Sequence, residues 1–272
     1  MTPHRFRWMM GSSARSTLDT AGRPVLRPHD RWPPYLWPSA PNIDFLIARA
    51  KICGIRSEDD LAIALAAGAD AVGFICGTTH FSEDALEPQR ACELAASVPP
   101  FVARVLVTHL TDRDEILSLA EHVGADTIQV HGLVSLETIR NVFDRAGARR
   151  VIKVIHVTGE DAFEAAERCW RFCHALQMDS RTAVRLGGTG MVHDWGISRA
   201  IVERQALHGV PCILSGGLTP ENVSEAVRTV RPFAVDANSG VESRRGDKDA
   251  ERSARFVSAA RAALLGPVAS GH

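Results

Sequence analysis

From residue 49 onward the chain alternates eight times between a short run rich in β-branched residues and a longer stretch with Ala, Leu, Glu and Arg at helical spacing. The strand-like runs are 49–54, 70–75, 103–108, 126–131, 150–155, 175–179, 211–215 and 233–237. Between them lie helical runs such as SEDDLAIALAAG, which opens on Ser57 with Asp60 three residues on and closes at Gly68. Thr219 with Asn222 is a looser version of the same cap. Eight such units at about 27 residues each is the tempo of a (β/α)8 barrel. A doubly wound open sheet also alternates, but it offers fewer strands and a glycine fingerprint after the first. KICGIRSEDD carries no G-x-G-x-x-G. The pattern predicts an α/β fold, a single (β/α)8 TIM barrel over residues 49–265, with a tail over 266–272.

Residues 1–48 read differently. They are rich in Pro, Arg and Ser, hold Trp8, Trp32 and Trp37, and show no sustained apolar period. No apolar h-region marks a secretory signal, and Asp19, Asp30 and the prolines argue against an organellar transit peptide. The segment is expected to be a poorly ordered N-terminal extension. A flap whose tryptophans dock on the core is the alternative.

Composition removes several classes of function. With 31 basic and 32 acidic side chains and a net charge of -1, nothing points to nucleic acid or a polybasic membrane surface. No apolar run reaches the roughly 18 residues of a membrane helix. The six cysteines have no short-spaced framework, and most lie in apolar runs, which fits a reduced, cytoplasmic protein. Cys169 and Cys173, beside His174, would share a helical face as half of a zinc site, but no second ligand pair matches, so no metal is expected.

In such a barrel the working residues sit at the C-terminal ends of strands and in the loops that follow. Those ends are Cys53, Cys76, Thr108, His131, His156, Asp179, Gly216–Gly217 and Asn238–Ser239–Gly240. The last two groups follow the seventh and eighth strands, where glycine lets backbone N–H groups approach a phosphate. Tight turns alone would also explain them. Cys53 and Asp179 end the first and sixth strands, a thiol able to take a proton and an acid able to deliver one. A structural cysteine and a capping Asp are the bland readings. The loop RLGGTGMVHDW (185–195) has glycines around Thr189 and is suited to closing over a ligand.

KICGI (51–55), AGADAVGF (67–74), QVHG (129–132), VIKVI (151–155), MDS (178–180), LGGTG with DW (186–190, 194–195), SGGLTPENV (215–223) and VDANSGVE (235–242) follow in the order and spacing of phosphoribosylanthranilate isomerases. The chain resembles that family over essentially all of residues 50–264. The resemblance implies an aldose-ketose isomerase of tryptophan biosynthesis that performs an Amadori rearrangement on a phosphosugar without a cofactor. The family's thiol base falls on Cys53 and its acid on Asp179. Burial in a closed mouth is expected to raise the pKa of that acid. His131, Gly188, Thr189 and Gly190 are expected to line the substrate pocket, and a monomer is the default, since the barrel is complete in one chain.

One stretch departs from the pattern. After the second strand the family carries S-P-R and an aromatic residue, the arginine holding the anthranilate carboxylate. Here CGTTHFSEDALEPQRA (76–91) has Ser82-Glu83-Asp84 instead, and an acid there is expected to repel a benzoate. The third strand reads VLVTH (105–109), and His193 stands where phenylalanine is usual. Either another cation meets the carboxylate, with Arg185, His80 and His193 as candidates, or the chain isomerises a different N-linked ribose 5-phosphate. A noncatalytic phosphosugar-binding barrel is the reading from another class, disfavoured by the retention of Cys53 and Asp179.

Overall fold

Each of the eight predicted runs forms a parallel strand in the computed structural model, which describes residues 47–180 and 194–265. The expected N-terminal extension lies almost wholly outside the described residues, as does the tail. The first half contains β1 (Arg49–Ile52), α1 (Glu58–Ala66), β2 (Ala71–Cys76), β3 (Ala85–Leu86), α2 (Pro88–Ala96), β4 (Ala103–Thr108), α3 (Arg113–Val123), β5 (Thr127–Val130) and α4 (Leu136–Arg145). The second half contains β6 (Arg150–Val157), α5 (Asp161–Cys169), β7 (Ala175–Ser180), α6 (Trp195–Ala206), β8 (Cys212–Leu214), α7 (Val223–Val230), β9 (Ala234–Ala237) and α8 (Ala250–Ala262). The strands neighbour one another in the order β1-β9-β8-β7-β6-β5-β4-β2, and β1 also pairs with β2. That last pairing closes the ring and removes the unpaired edges an open sheet would expose. β3 is a two-residue appendage beside the end of β2.

Alternation along each strand builds two cores. Outward residues such as Ile52, Phe74, Leu106, Ile128, Leu176 and Val235 pack under the helices in one continuous apolar layer. Each large side chain fully buried there contributes about 1.5–3 kcal/mol. Inward residues Ile152, Ala175, Ile213 and Ala234 plug the bottom of the barrel. Above that plug Lys51, Gln129, Gln177, Ser215 and Asp236 bring buried polar groups into the interior, beside an apolar cluster of Cys53, Ile75, Val105 and Val107. The polarity of the upper interior is what positions a site.

The α1 cap follows the predicted pattern. Ser57 Oγ accepts from the Asp60 amide at 3.1 Å, and Asp60 Oδ2 accepts from the Arg56 amide at 3.0 Å. The looser cap turns out to brace a loop instead. The helix α7 begins only at Val223, and Asn222 ties back to the preceding turn, accepting from Thr219 N at 2.8 Å and donating to Gly217 O at 2.9 Å. The shared helical face for Cys169 and Cys173 does not form. The helix α5 ends at Cys169, and Cys173 lies beyond a 3-10 turn in extended backbone. No helix among the described residues is long and apolar enough to cross a membrane.

Candidate active site

The C-terminal ends of the strands surround an open cavity of about 680 Å³, bordered by Cys53, Gln177, Asp179, Gly216, Gly217 and Asn238–Gly240 on one side and by His80, His109 and His131 on the other. Cys53 directly follows β1, and its amide continues the ladder to Ala237 O at 2.9 Å. The next residue, Gly54, has φ +70, and a β-carbon there would lie 2.3 Å from Asn238 Oδ1. A side chain at that turn would therefore push aside the Asn238 amide. The Cys53 side chain is buried, and burial pushes its thiol above the ordinary pKa, partly opposed by the Lys51 ammonium.

Asp179 stands on β7 opposite His156 of β6. Its Oδ2 lies 3.1 Å from His131 Nε2, and its Oδ1 accepts from Ser215 Oγ at 3.0 Å. Burial alone would raise this carboxyl. The hydrogen bond and charge of His131, with His156 and Ser215, outweigh burial and hold it below the usual carboxylate value. The expectation of a raised pKa is thus corrected, because the carboxylate is met by donors rather than by an apolar wall.

The two glycine-rich turns nest against each other. Gly216 has φ +88, and a β-carbon there would sit 2.5 Å from the Ser180 amide nitrogen. At Gly240 a β-carbon would lie 1.8 Å from Leu218 O. Ser239 sits in the 3-10 turn Ser239–Val241 beside it. The Asn238 side chain is already engaged, donating to Asp84 Oδ2 at 2.8 Å and accepting from Lys248 Nζ at 2.6 Å. It clamps the loops after β2 and β9 together.

Asp84 is also faced by Arg56, whose Nε lies 3.7 Å from Oδ1. The acid that replaces the family's arginine therefore has its charge met by Arg56 and Asn238, which weakens the repulsion expected from sequence. His80 is exposed on the rim with its ring edge-on to His109, 4.6 Å between centroids. Its neighbours continue the file: His109 to His131 at 4.7 Å and His131 to His156 at 5.0 Å. Burial drives His109 down to about 3 and His156 to about 4, so both are neutral near pH 7. Arg185, Gly188, Thr189, Gly190 and His193 lie outside the described residues. Among the described residues no group of three His, Cys, Asp or Glu is arranged to hold a metal.

Sequence reading missed the polar floor of the cavity. Lys51 Nζ donates to Asp236 Oδ2 at 2.8 Å, and Gln177 Nε2 reaches both Asp236 Oδ2 (2.9 Å) and Ser215 Oγ (3.0 Å). The signal was available. Lys51, Gln177 and Asp236 each lie two residues before a strand-end residue already singled out, and so share its inward face.

Comparison with known proteins agrees with this geometry. Residues 50–259 match the family model described as N-(5'-phosphoribosyl)anthranilate (PRA) isomerase. A Methanosarcina mazei protein named N-(5'-phosphoribosyl)anthranilate isomerase 2 is 37% identical over 211 residues, covering 77% of this chain and 92% of that protein. The Haloferax volcanii N-(5'-phosphoribosyl)anthranilate isomerase is 41% identical over 217 residues, covering 80% and 95%. The crystal structure of phosphoribosyl anthranilate isomerase from Thermotoga maritima superposes with a TM-score of 0.69 at 34% identity, covering 79% of this chain and 98% of that one. A second structure of such an isomerase, in complex with reduced 1-(o-carboxyphenylamino)-1-deoxyribulose 5-phosphate, matches with a TM-score of 0.66 at 34% identity, with coverage of 79% and 98%.

Proposed function

Because the chain belongs to the N-(5'-phosphoribosyl)anthranilate isomerase family, we propose that it converts N-(5-phosphoribosyl)anthranilate to 1-(2-carboxyphenylamino)-1-deoxyribulose 5-phosphate, a cofactor-free step of tryptophan biosynthesis. The observation that carries this reading is that Cys53 and Asp179 border one cavity, with the glycine turns after β8 and β9 between them on the rim. A phosphate held by backbone N–H groups at Gly216, Gly217, Ser239 and Gly240 leaves the ribose between thiol and carboxyl.

Asp179 is the general acid. It protonates the ribose ring oxygen as the C1′–O bond breaks and the nitrogen lone pair forms a Schiff base. Cys53, as thiolate, removes the C2′ proton, and the C–H electrons form the C1′=C2′ bond of an enolamine. Gain of a proton at C1′ and loss of the enol proton give the ketose. The negative charges of the incoming phosphate and carboxylate favour proton uptake at Asp179. The benzoate end faces the histidine side of the mouth. Its carboxylate partner is one of Arg185, His80 or His193.

The described lining of the cavity comes from one chain, which supports a monomer as the working form. All six cysteines are free, in keeping with a cytoplasmic enzyme. The decisive experiment is an assay of the purified protein on phosphoribosylanthranilate, alongside complementation of a tryptophan auxotroph. Turnover is expected. No turnover at any pH, with phosphate binding retained, would overturn the reading in favour of an isomerase of another N-linked ribose 5-phosphate.

A further inference from the structure

Lys51 and Cys53 are two residues apart and both face the barrel interior. They converge on Gly73 of β2, where a β-carbon would lie 2.7 Å from Cys53 Sγ and 3.0 Å from Lys51 Nζ. Only a residue without a side chain leaves room for both. The ammonium is fixed from the other side by its 2.8 Å bond to Asp236 on β9. Both members of that ion pair are buried, so little water screens the charge.

We propose that Lys51 is the positioning residue that ionises Cys53, its ammonium serving as counter-ion to the thiolate that removes the C2′ proton. This rests on the assignment of Cys53 as the base. A thiol buried on its own resists ionisation. The charged groups that face Cys53 are Lys51 on β1, Asp236 on β9 and Lys248 in the loop after β9. Lys248 is taken up by Glu242 Oε1 at 2.7 Å and Asn238 Oδ1 at 2.6 Å. Asp236 opposes a second anion beside it. Lys51 and Asp236 therefore push the thiol in opposite directions. When the thiolate takes the C2′ proton an S–H bond forms, and Lys51 keeps its proton and its bond to Asp236, ready for the next turnover.

The test is alkylation of Cys53 by iodoacetamide as a function of pH, resolved from the other cysteines by peptide mass spectrometry. Lys51→Met is expected to raise the midpoint by about one unit or more, and Asp236→Asn to lower it by about one, since an opposite charge within roughly 4–6 Å moves a pKa by that much. The rising limb of kcat against pH moves with each midpoint. Asp236→Asn is isosteric and reads the proposal even where Lys51→Met fails to fold. Unchanged midpoints, or shifts of the same sign in both variants, overturn it, because a merely structural role has no reason to give opposite signs. Substantial turnover in Cys53→Ala, with the opposite alkylation shifts intact, would sink the base assignment alone.

Discussion

Cys53→Ala and Asp179→Asn each remove one proton-transfer group from the wall of the cavity, Cys53→Ala trimming a single sulfur from its buried cluster with Ile75, Val105 and Val107. Each is expected to lower kcat by about 10²–10⁴, and a variant that keeps more than about a tenth of wild-type turnover would refute its assigned role. His131→Asn tests the acid differently. The imidazole is the largest of the influences that lower the Asp179 carboxyl, so its loss raises that pKa. A general acid loses activity as pH rises through its pKa, so the alkaline limb of the rate profile is expected to move to higher pH. An unmoved limb would show that Asp179 does not titrate in that limb. At the same scale, the partners of Asp84 were not legible from sequence: Arg56 and Asn238, distant in the chain, meet its charge, and only the fold brings them there.

At the scale of elements, the eight strands were legible because burial on both faces leaves compact β-branched runs bounded by glycine and caps. β3 was not, since a pair of residues carries no period. The late start of α7 was hidden for a related reason: Thr219 and Asn222 satisfy the cap pattern, yet the side chain of Asn222 holds the turn carrying Gly217 rather than a helix beginning at Pro220. Cys53, Asp179 and the glycine turns could be picked out because they fall at strand ends. Lys51, Gln177 and Asp236 escaped because attention to strand ends ignores the inward residue one step below. The nested turns carry their own prediction. With a β-carbon 1.8 Å from Leu218 O, Gly240→Ala must separate the turns after β8 and β9. KM for the phosphosugar is expected to rise about tenfold or more, equivalent to about 1.4 kcal/mol of lost binding, with a smaller change in kcat. An unaltered KM would remove the phosphate from these turns.

For the whole molecule, the family match begins at residue 50, and residues 1–45 show no apolar period with which to bury surface. Deleting 1–45 is expected to leave both the thermal midpoint and kcat/KM unchanged, and protection of Arg15 or Arg31 from trypsin in the folded protein would contradict this. The histidine file sets how the barrel responds to acid. His109 and His156 have pKa values near 3 and 4 when folded, against an ordinary 6.5. Between about pH 4 and 6.5 the unfolded chain therefore binds protons that the folded chain refuses, so stability rises with pH across that window and is lost as pH falls through it. The limiting slope is about 1.4 kcal/mol per pH unit for each histidine. Below the usual carboxylate range Asp179 adds to the loss, since its lowered pKa stabilises the fold only while the group is ionised. Both ring nitrogens of His109 are buried with no hydrogen-bond partner among the described residues, so His109→Phe gives up no bond to them and removes one of the titrating groups. Urea midpoints at pH 7, 6 and 5 are expected to fall less steeply in His109→Phe than in the wild type. Parallel curves would show that the acid sensitivity of the barrel arises elsewhere.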